Sequence, residues 1–305
     1  TGVITQADAI LVKNPSDAVA LTYRALAIAQ QGSLAFVETE FGNEAVESAQ
    51  AAVAADPGYA EAYRALAYAY EIQQDYANAH ANYGKAIELD PQNAAAIFGN
   101  AHAYDLQGDL VKAEAGYRAA LAIDANLAVA HQGLGRALIA QADTDGAIRE
   151  FKAAYALTLN THIRSEAAAS LAILLLGAKD LASGLHYASL ATKADPAYPL
   201  AWYALGIAEM DRAGQSSLSQ EDRLASLQAG MAANAKAIAL YPDLSIALIQ
   251  QAKTFHYVFK NRSQALIMLA RAEKAVISDI TLNAPAKTAV AKEIQDLKAV
   301  VQGTL

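Results

Sequence analysis

The side chains that could do chemistry are few and widely spaced. The chain has six histidines, His80, His102, His131, His162, His186 and His256, and no cysteine. No two histidines stand four apart, and no HExxH pattern occurs, so no single helix presents a pair of metal ligands on one face. Without cysteine there is no thiol nucleophile, no disulfide and no thiolate metal site. No glycine-rich phosphate loop and no nucleophile elbow is present. The run HQGLGRA brings Gly133 and Gly135 close together, but both fall inside a helical pattern, at places where small residues are needed for packing. The adjacent acids Glu221 and Asp222 read as solvated or capping residues, since Ser219 stands three before Asp222. His131 lies on an apolar stripe and is expected in the core. These residues point away from an enzyme and away from any cofactor or metal.

The elements that carry these residues follow from composition. The 305 residues are 54% apolar, rich in Ala and poor in Pro, with 7 prolines. Ala is the best helix former and a poor strand former, so an all-helical chain is expected. The net charge of −8 argues against nucleic acid as a partner. The longest strongly apolar run, around Leu171–Leu176, is far shorter than the roughly 20 residues a bilayer requires, so no membrane insertion is expected. The start TGVITQADAILVKNP lacks a basic stretch and a long apolar core, so it does not read as an intact signal peptide. A soluble protein is expected. The compartment stays open between the cytoplasm and, for a processed chain, the periplasm or exterior.

An internal period organises the chain. Asp56-Pro57 and Asp90-Pro91 lie 34 residues apart, and a further such step reaches Asp124-Ala125 in a closely similar context. Between these marks one template recurs. It holds Tyr63, Leu66, Ala67, Tyr70, Ala79, Tyr83 and Ala86, then Ile97, Asn100, Ala101, Tyr104, Ala113, Tyr117 and Ala120. Next come His131, Leu134, Gly135, Leu138, Ala147, Phe151 and Ala154, and after a three-residue slip Leu171, Ala172, Leu175, Gly184, Ala188 and Ala191. Trp202, Leu205 and Gly206 open a further copy. Spacings of three and four mark one face of a helix. Two such runs per copy, joined by turns such as Gln73-Gln74-Asp75, predict a helical hairpin. Small residues let its helices approach closely, and Tyr83, Tyr117 and Phe151 fill the space between hairpins. Asn100, Ala188 and Asn234 depart from the template and predict looser packing there.

This period and the pattern W/Y-x2-L-G/A-x2-Y…A-x3-Y/F…P resemble the tetratricopeptide repeat family. The resemblance implies an all-α, right-handed α-solenoid of tandem helix-turn-helix repeats with a C-terminal capping helix. The expected boundaries are a partial repeat at 1–17, repeats at 18–59, 60–93, 94–127, 128–161, 165–198, 199–244 and 245–278, and the cap at 283–302. In the cap, Val290, Ile294, Leu297 and Val301 share one face. Repeat 18–59 carries extra residues around QQGSLAFVETEFGNE. About a dozen more, around 211–222, read as a longer loop within a hairpin or as a loop that touches a partner.

The resemblance also implies that first helices line a concave surface, and that the residues beside the packing stripe face a ligand. Carried over, these are Arg64, Tyr68 and Glu71; Phe98, His102 and Asp105; Gln132 and Arg136; Glu166 and Ile173; Tyr203 and Ile207; and Lys253, His256 and Tyr257, with Arg24 upstream. Tyr, Phe and Arg suit binding hot spots. Asparagines are absent from the positions where the family clamps a terminal carboxylate, so a ligand of that kind is not expected. The expected function is a non-catalytic scaffold that binds a peptide or protein segment in this groove. Two alternatives remain: a structural subunit that self-associates through its end repeats, or a regulatory module of a longer enzyme.

Overall fold

The computed structural model describes residues 2–35, 38–279, 281–282 and 284–303, with no side-chain description over 32–40. The described residues contain no strand. The helices are α1 (Gly2–Leu11), α2 (Ala18–Ala35), α3 (Glu38–Ala55), α4 (Ala60–Ile72), α5 (Tyr76–Leu89), α6 (Ala94–Gln107), α7 (Leu110–Ile123), α8 (Ala128–Ala140) and α9 (Thr144–Leu157). They continue as α10 (Thr161–Gly177), α11 (Leu181–Ala194), α12 (Pro199–Ala213), α13 (Gln220–Leu240), α14 (Ser245–Lys253), α15 (Arg262–Ser278) and α16 (Ala284–Gln302). The fold is therefore all-α. It divides into two compact units, residues 1–137 and 138–305. In the first, α2 pairs with α3, α4 with α5 and α6 with α7, while α2, α4 and α6 also touch in succession. In the second, α10 pairs with α11, α12 with α13 and α14 with α15, and α16 covers α15.

Two turns alternate along the chain, and each has a chemical cause. Within hairpins, a residue in the left-handed region precedes an N-cap carboxylate or amide. The left-handed residues are Gln74, Gly108, Ala142, Lys179 and Lys260, with φ of 60°, 83°, 61°, 67° and 53°. Asp75, Asp109, Asp143, Asp180 and Asn261 follow them, and each side chain accepts the backbone N–H three residues on. Between hairpins, Asp56, Asp90, Asp124 and Asp195 accept the N–H two residues on at 2.9–3.0 Å. Asp124 does so with Ala125 behind it, so the aspartate, more than the proline, makes this turn.

Hairpins lock together by putting a ring where a neighbour lacks a side chain. Tyr83, Tyr117 and Phe151 are at most 2% exposed. A Cβ built on Gly99 would sit 2.4 Å from the Tyr83 ring, and one on Gly133 would sit 2.4 Å from that of Tyr117. Gly133 is thus a packing residue. In the second unit Gly206 and Gly230 bring α12 and α13 together, where a Cβ on Gly230 would lie 3.0 Å from the Gly206 carbonyl. Gly206 and Gly230 act within one hairpin, whereas Asn234, at the place of the template ring, faces the next one and donates to the Ala247 carbonyl at 2.9 Å. The face of α16 is buried through Val290, Ile294, Leu297 and Val301, as the sequence indicates.

Four further expectations need correction or limits. The insertion at 211–222 is only partly loop: 211–213 complete α12, 214–219 form the turn and 220–222 open α13, which runs to 21 residues. Ser219 caps that helix by accepting the Asp222 N–H at 3.0 Å. His131 is half-buried rather than core, because its Nε2 holds the Ala125 carbonyl at 3.1 Å. Trp202 serves the Pro196 carbonyl in the same way at 2.8 Å. The repeat at 245–278 contains a π-helical turn, Thr254–Val258, after α14. Within the expanded first repeat, Phe36 and Val37 lie outside the described residues, as does Asn283 ahead of the cap.

Two glycine substitutions separate packing from propensity. Gly99→Ala forces its Cβ into Tyr83 and should cost about 1–3 kcal/mol in urea unfolding. Gly84→Ala, with nothing within 4 Å of its Cβ and mid-helix in α5, should stabilise by roughly 0.5–1 kcal/mol.

Candidate functional site

The side chains singled out in the first unit converge. Arg64, Tyr68 and Glu71 from α4 and Phe98 and His102 from α6 line one open cleft of about 460 Å³ with Leu26 and Gln30 of α2. Gly99 and Ala95 contribute to its wall, and Tyr83 reaches it from α5. The cleft exists because α2, α4 and α6 are successive first helices. Residues three or four apart on each of them therefore face the same way.

A buried carboxylate sits at its base. Glu71, 5% exposed, accepts the Tyr83 hydroxyl at 3.1 Å and pairs with His102 Nδ1 at 2.9 Å. One period later the arrangement is repeated with different chemistry. Asp105, 9% exposed, accepts the Tyr117 hydroxyl at 3.1 Å and meets Arg136 Nε at 3.5 Å. In both, an acid on a first helix holds the tyrosine of its own hairpin and a base on the next first helix. In the following repeat the tyrosine is Phe151 and the acid position is Ile139, which is solvent-exposed. Acid and hydroxyl disappear together, as expected if each needs the other to be buried without penalty.

The environment tunes these groups. Burial pushes the Tyr83 and Tyr117 phenols well up, and the neighbouring carboxylates push the same way, so both remain hydrogen-bond donors. For His102, burial lowers the pKa, but the charge and hydrogen bond of Glu71 outweigh it and the net shift is upward from 6.5. The ring also stacks on Phe98, with centroids 5.9 Å apart. Arg64 is held by Glu61, whose other oxygen accepts from Asn93 at 2.6 Å, joining α4 to the cap of α6. Burial raises the Glu61 pKa, but the bonds from Arg64 and Asn93 leave it lowered.

Other expected site residues have different surroundings. Gln132 is 3% exposed and packs inside, so it does not face a ligand. Asp105 is buried and bonded to Tyr117, and Arg136 lies against it rather than standing free. Arg24 is clamped by Asp8 and Glu44 at 2.8 and 2.7 Å. In the second unit, Tyr203 packs against the C-terminal core, and burial together with Glu293 pushes its pKa up to about 12. Lys253 is tied to Glu293 of α16 at 2.7 Å. His256 and Tyr257 sit on the π-helical turn with rings 4.6 Å apart; His256 is half-buried and Tyr257 exposed. Glu166 and Ile207 are half-buried and Ile173 is exposed. Among the described residues no group of three or more His, Asp or Glu could hold a metal ion. No described helix is long and apolar enough to cross a membrane.

The acid–tyrosine–base pairing was not anticipated. Its signal was present as Glu71 and Asp105, Tyr83 and Tyr117, and His102 and Arg136, all one period apart, with the tyrosines assigned to apolar filling alone.

Comparison with known proteins gives the same architecture. The sequence model described as tetratricopeptide repeat matches residues 60–93. No curated protein sequence matches the chain. Among solved structures, the chain resembles that of the APC/C hetero-tetramer Cut9-Hcn1, with a TM-score of 0.70 and 16% identity over 95% of this chain and 52% of that one. This chain thus spans about half of that protein. It also resembles pilF of Pseudomonas aeruginosa, at TM-score 0.59 and 19% identity over 80% of this chain and 99% of that one. PilW, titled a widely conserved type IV pilus biogenesis factor, follows at TM-score 0.57 and 20% identity, covering 76% of this chain and 98% of that one. At these identities the likeness is one of fold.

Two measurements probe the buried network. Tyr117→Phe removes the hydroxyl donor to the buried Asp105 carboxylate and should cost about 1.5–3 kcal/mol in urea unfolding. Adding Asp105→Ile, which copies the Phe151 and Ile139 pair, should recover part of that loss. Because His102 has a raised folded pKa, the charge on its ring adds a stabilising ion pair with Glu71 that is fully present below pH 6.5 and is lost as pH rises through the folded value, while the Nδ1–H hydrogen bond stays. His102→Gln should therefore flatten the fall of stability above pH 6.5, read from urea midpoints across that range.

Proposed function

We propose that the chain is a tetratricopeptide repeat protein and a non-catalytic scaffold that binds a peptide or protein segment in the cleft between α2, α4 and α6. Proteins of this fold are generally protein-interaction scaffolds. The observation that carries the reading is the convergence of Tyr68, Phe98, Arg64 and His102 on one open cleft. Two aromatic faces supply apolar burial at low cost in side-chain entropy, and the charged groups fix orientation.

The buried groups support the same reading. Glu71, Tyr83, Asp105 and Tyr117 satisfy one another within the protein, so they hold the walls of the cleft instead of offering a reactive group. The raised phenol pKa values of Tyr83 and Tyr117 come from burial and from the neighbouring carboxylates, which is structural pairing. A segment lying across successive first helices would meet one wall residue per period, a spacing suited to an extended or helical peptide.

The reading is tested with the partner that co-purifies with the intact chain. Tyr68→Ala and Phe98→Ala should each weaken its binding more than tenfold, the cost of losing a hot spot of about 2 kcal/mol. Helicity by circular dichroism should be unchanged. Wild-type affinity in both variants would place the partner elsewhere on the molecule.

A further inference from the structure

The cleft contains one group whose hydrogen-bonding character can invert near neutral pH. His102 spends Nδ1 on the buried Glu71 carboxylate, which can only accept. Nδ1 therefore carries a hydrogen in both protonation states of the ring, and proton exchange takes place at Nε2. That nitrogen lies on the opposite edge of the ring and has no hydrogen-bond partner among the described residues, while the side chain is 31% exposed and lines the cleft.

We infer that His102 makes the cleft a proton-gated acceptor site. With the ring protonated, Nε2–H is a cationic donor for a carboxylate or carbonyl oxygen of the bound segment. With the ring neutral, the same atom is a lone-pair acceptor and rejects that oxygen. The inference rests on the cleft being the binding site proposed above. It deepens that reading by naming what the occupant must present: an oxygen acceptor beside an apolar group that packs on Phe98 and Tyr68.

The groups around the ring are consistent with this gate. From α4 come Glu71 and, along the same cleft, Arg64 and Tyr68. From α5 comes the Tyr83 hydroxyl, which shares Glu71. Asp105 lies on the ring's own helix, and Arg136 approaches from α8. The two nearby acids favour the charged ring and Arg136 opposes it, with burial. Arg64 and Arg136 are each already engaged with an acid, at 2.7 and 3.5 Å. The proton-dependent change in the cleft thus comes from Nε2.

The test uses the full chain, labelled with ¹⁵N, and two probes, benzoate and benzamide. Long-range ¹H–¹⁵N spectra, assigned with His102→Gln, should show Nε2 as the titrating nitrogen, with a midpoint above 6.5. Probe affinity, followed at the Phe98 and His102 resonances, should fall at least tenfold as pH rises through that midpoint. His102→Gln should abolish the pH dependence, with the change at Phe98 as readout. Gating of both probes assigns any oxygen acceptor, and gating of benzoate alone assigns a carboxylate. Titration at Nδ1, or affinity independent of pH, overturns the gate and leaves the cleft standing as a binding site. No shift at Phe98 at any pH overturns the cleft reading, and the gate with it.

Discussion

The arrangement of the first unit depends on one steric fit: a tyrosine ring on a second helix occupies the space left by a glycine on the next first helix. Tyr83 over Gly99 and Tyr117 over Gly133 set how closely consecutive hairpins approach. Protein interiors are packed too densely for the ring to sit elsewhere without moving a helix. Once the ring is fixed, so is its hydroxyl, and a buried hydroxyl requires a partner. Glu71 and Asp105 meet that requirement, and their own charge then calls for His102 and Arg136. A cleft wall with a protonatable group is thus the end of a chain of consequences that begins with packing.

The same logic accounts for what changes along the sequence. Where the ring is Phe151 no hydroxyl needs a partner, and Ile139 stands in place of the acid. Asn100, the departure from the template in α6, is matched by His80, whose Nδ1 lies 2.6 Å from its side-chain oxygen and whose ring stacks on Tyr104 at 4.0 Å. Asn234 donates to the Ala247 carbonyl at 2.9 Å, binding α13 to the start of α14. Polar replacements in these interfaces have acquired polar partners from the neighbouring helix.

The fold was legible in the sequence to the extent that it follows from period and residue size. Helical hairpins, their turns at Asp75 and Asp109, and the buried face of α16 could all be read from spacing. The cleft was legible in part, because Arg64, Tyr68, Phe98 and His102 are offset from an apolar stripe on successive helices. Gln132 was misplaced because position along a helix does not reveal how deeply a neighbour covers it. Spacing did not reveal the neighbours of Tyr203 and Lys253: Tyr203 packs against the last core, and Lys253 pairs with Glu293 of α16. The π-helical turn at Thr254–Val258 left no mark in a pattern of threes and fours. The carboxylate–phenol pairs were missed since tyrosine satisfies an apolar template and hides its polar end.

The lengthened α13 shows what such an architecture tolerates. It has 21 residues where α5, α7, α9 and α11 have 14. Seven residues are close to two full helical turns, so the added segment extends the rod by about 10 Å and rotates its contact face by only about 20°. Ser226, Gly230, Ala233 and Ala237 remain in one buried line across the junction between old and added turns. Growth by whole heptads keeps phase, whereas an increment of one or two residues would swing that line out of register. In α13 the added length is one that preserves this register.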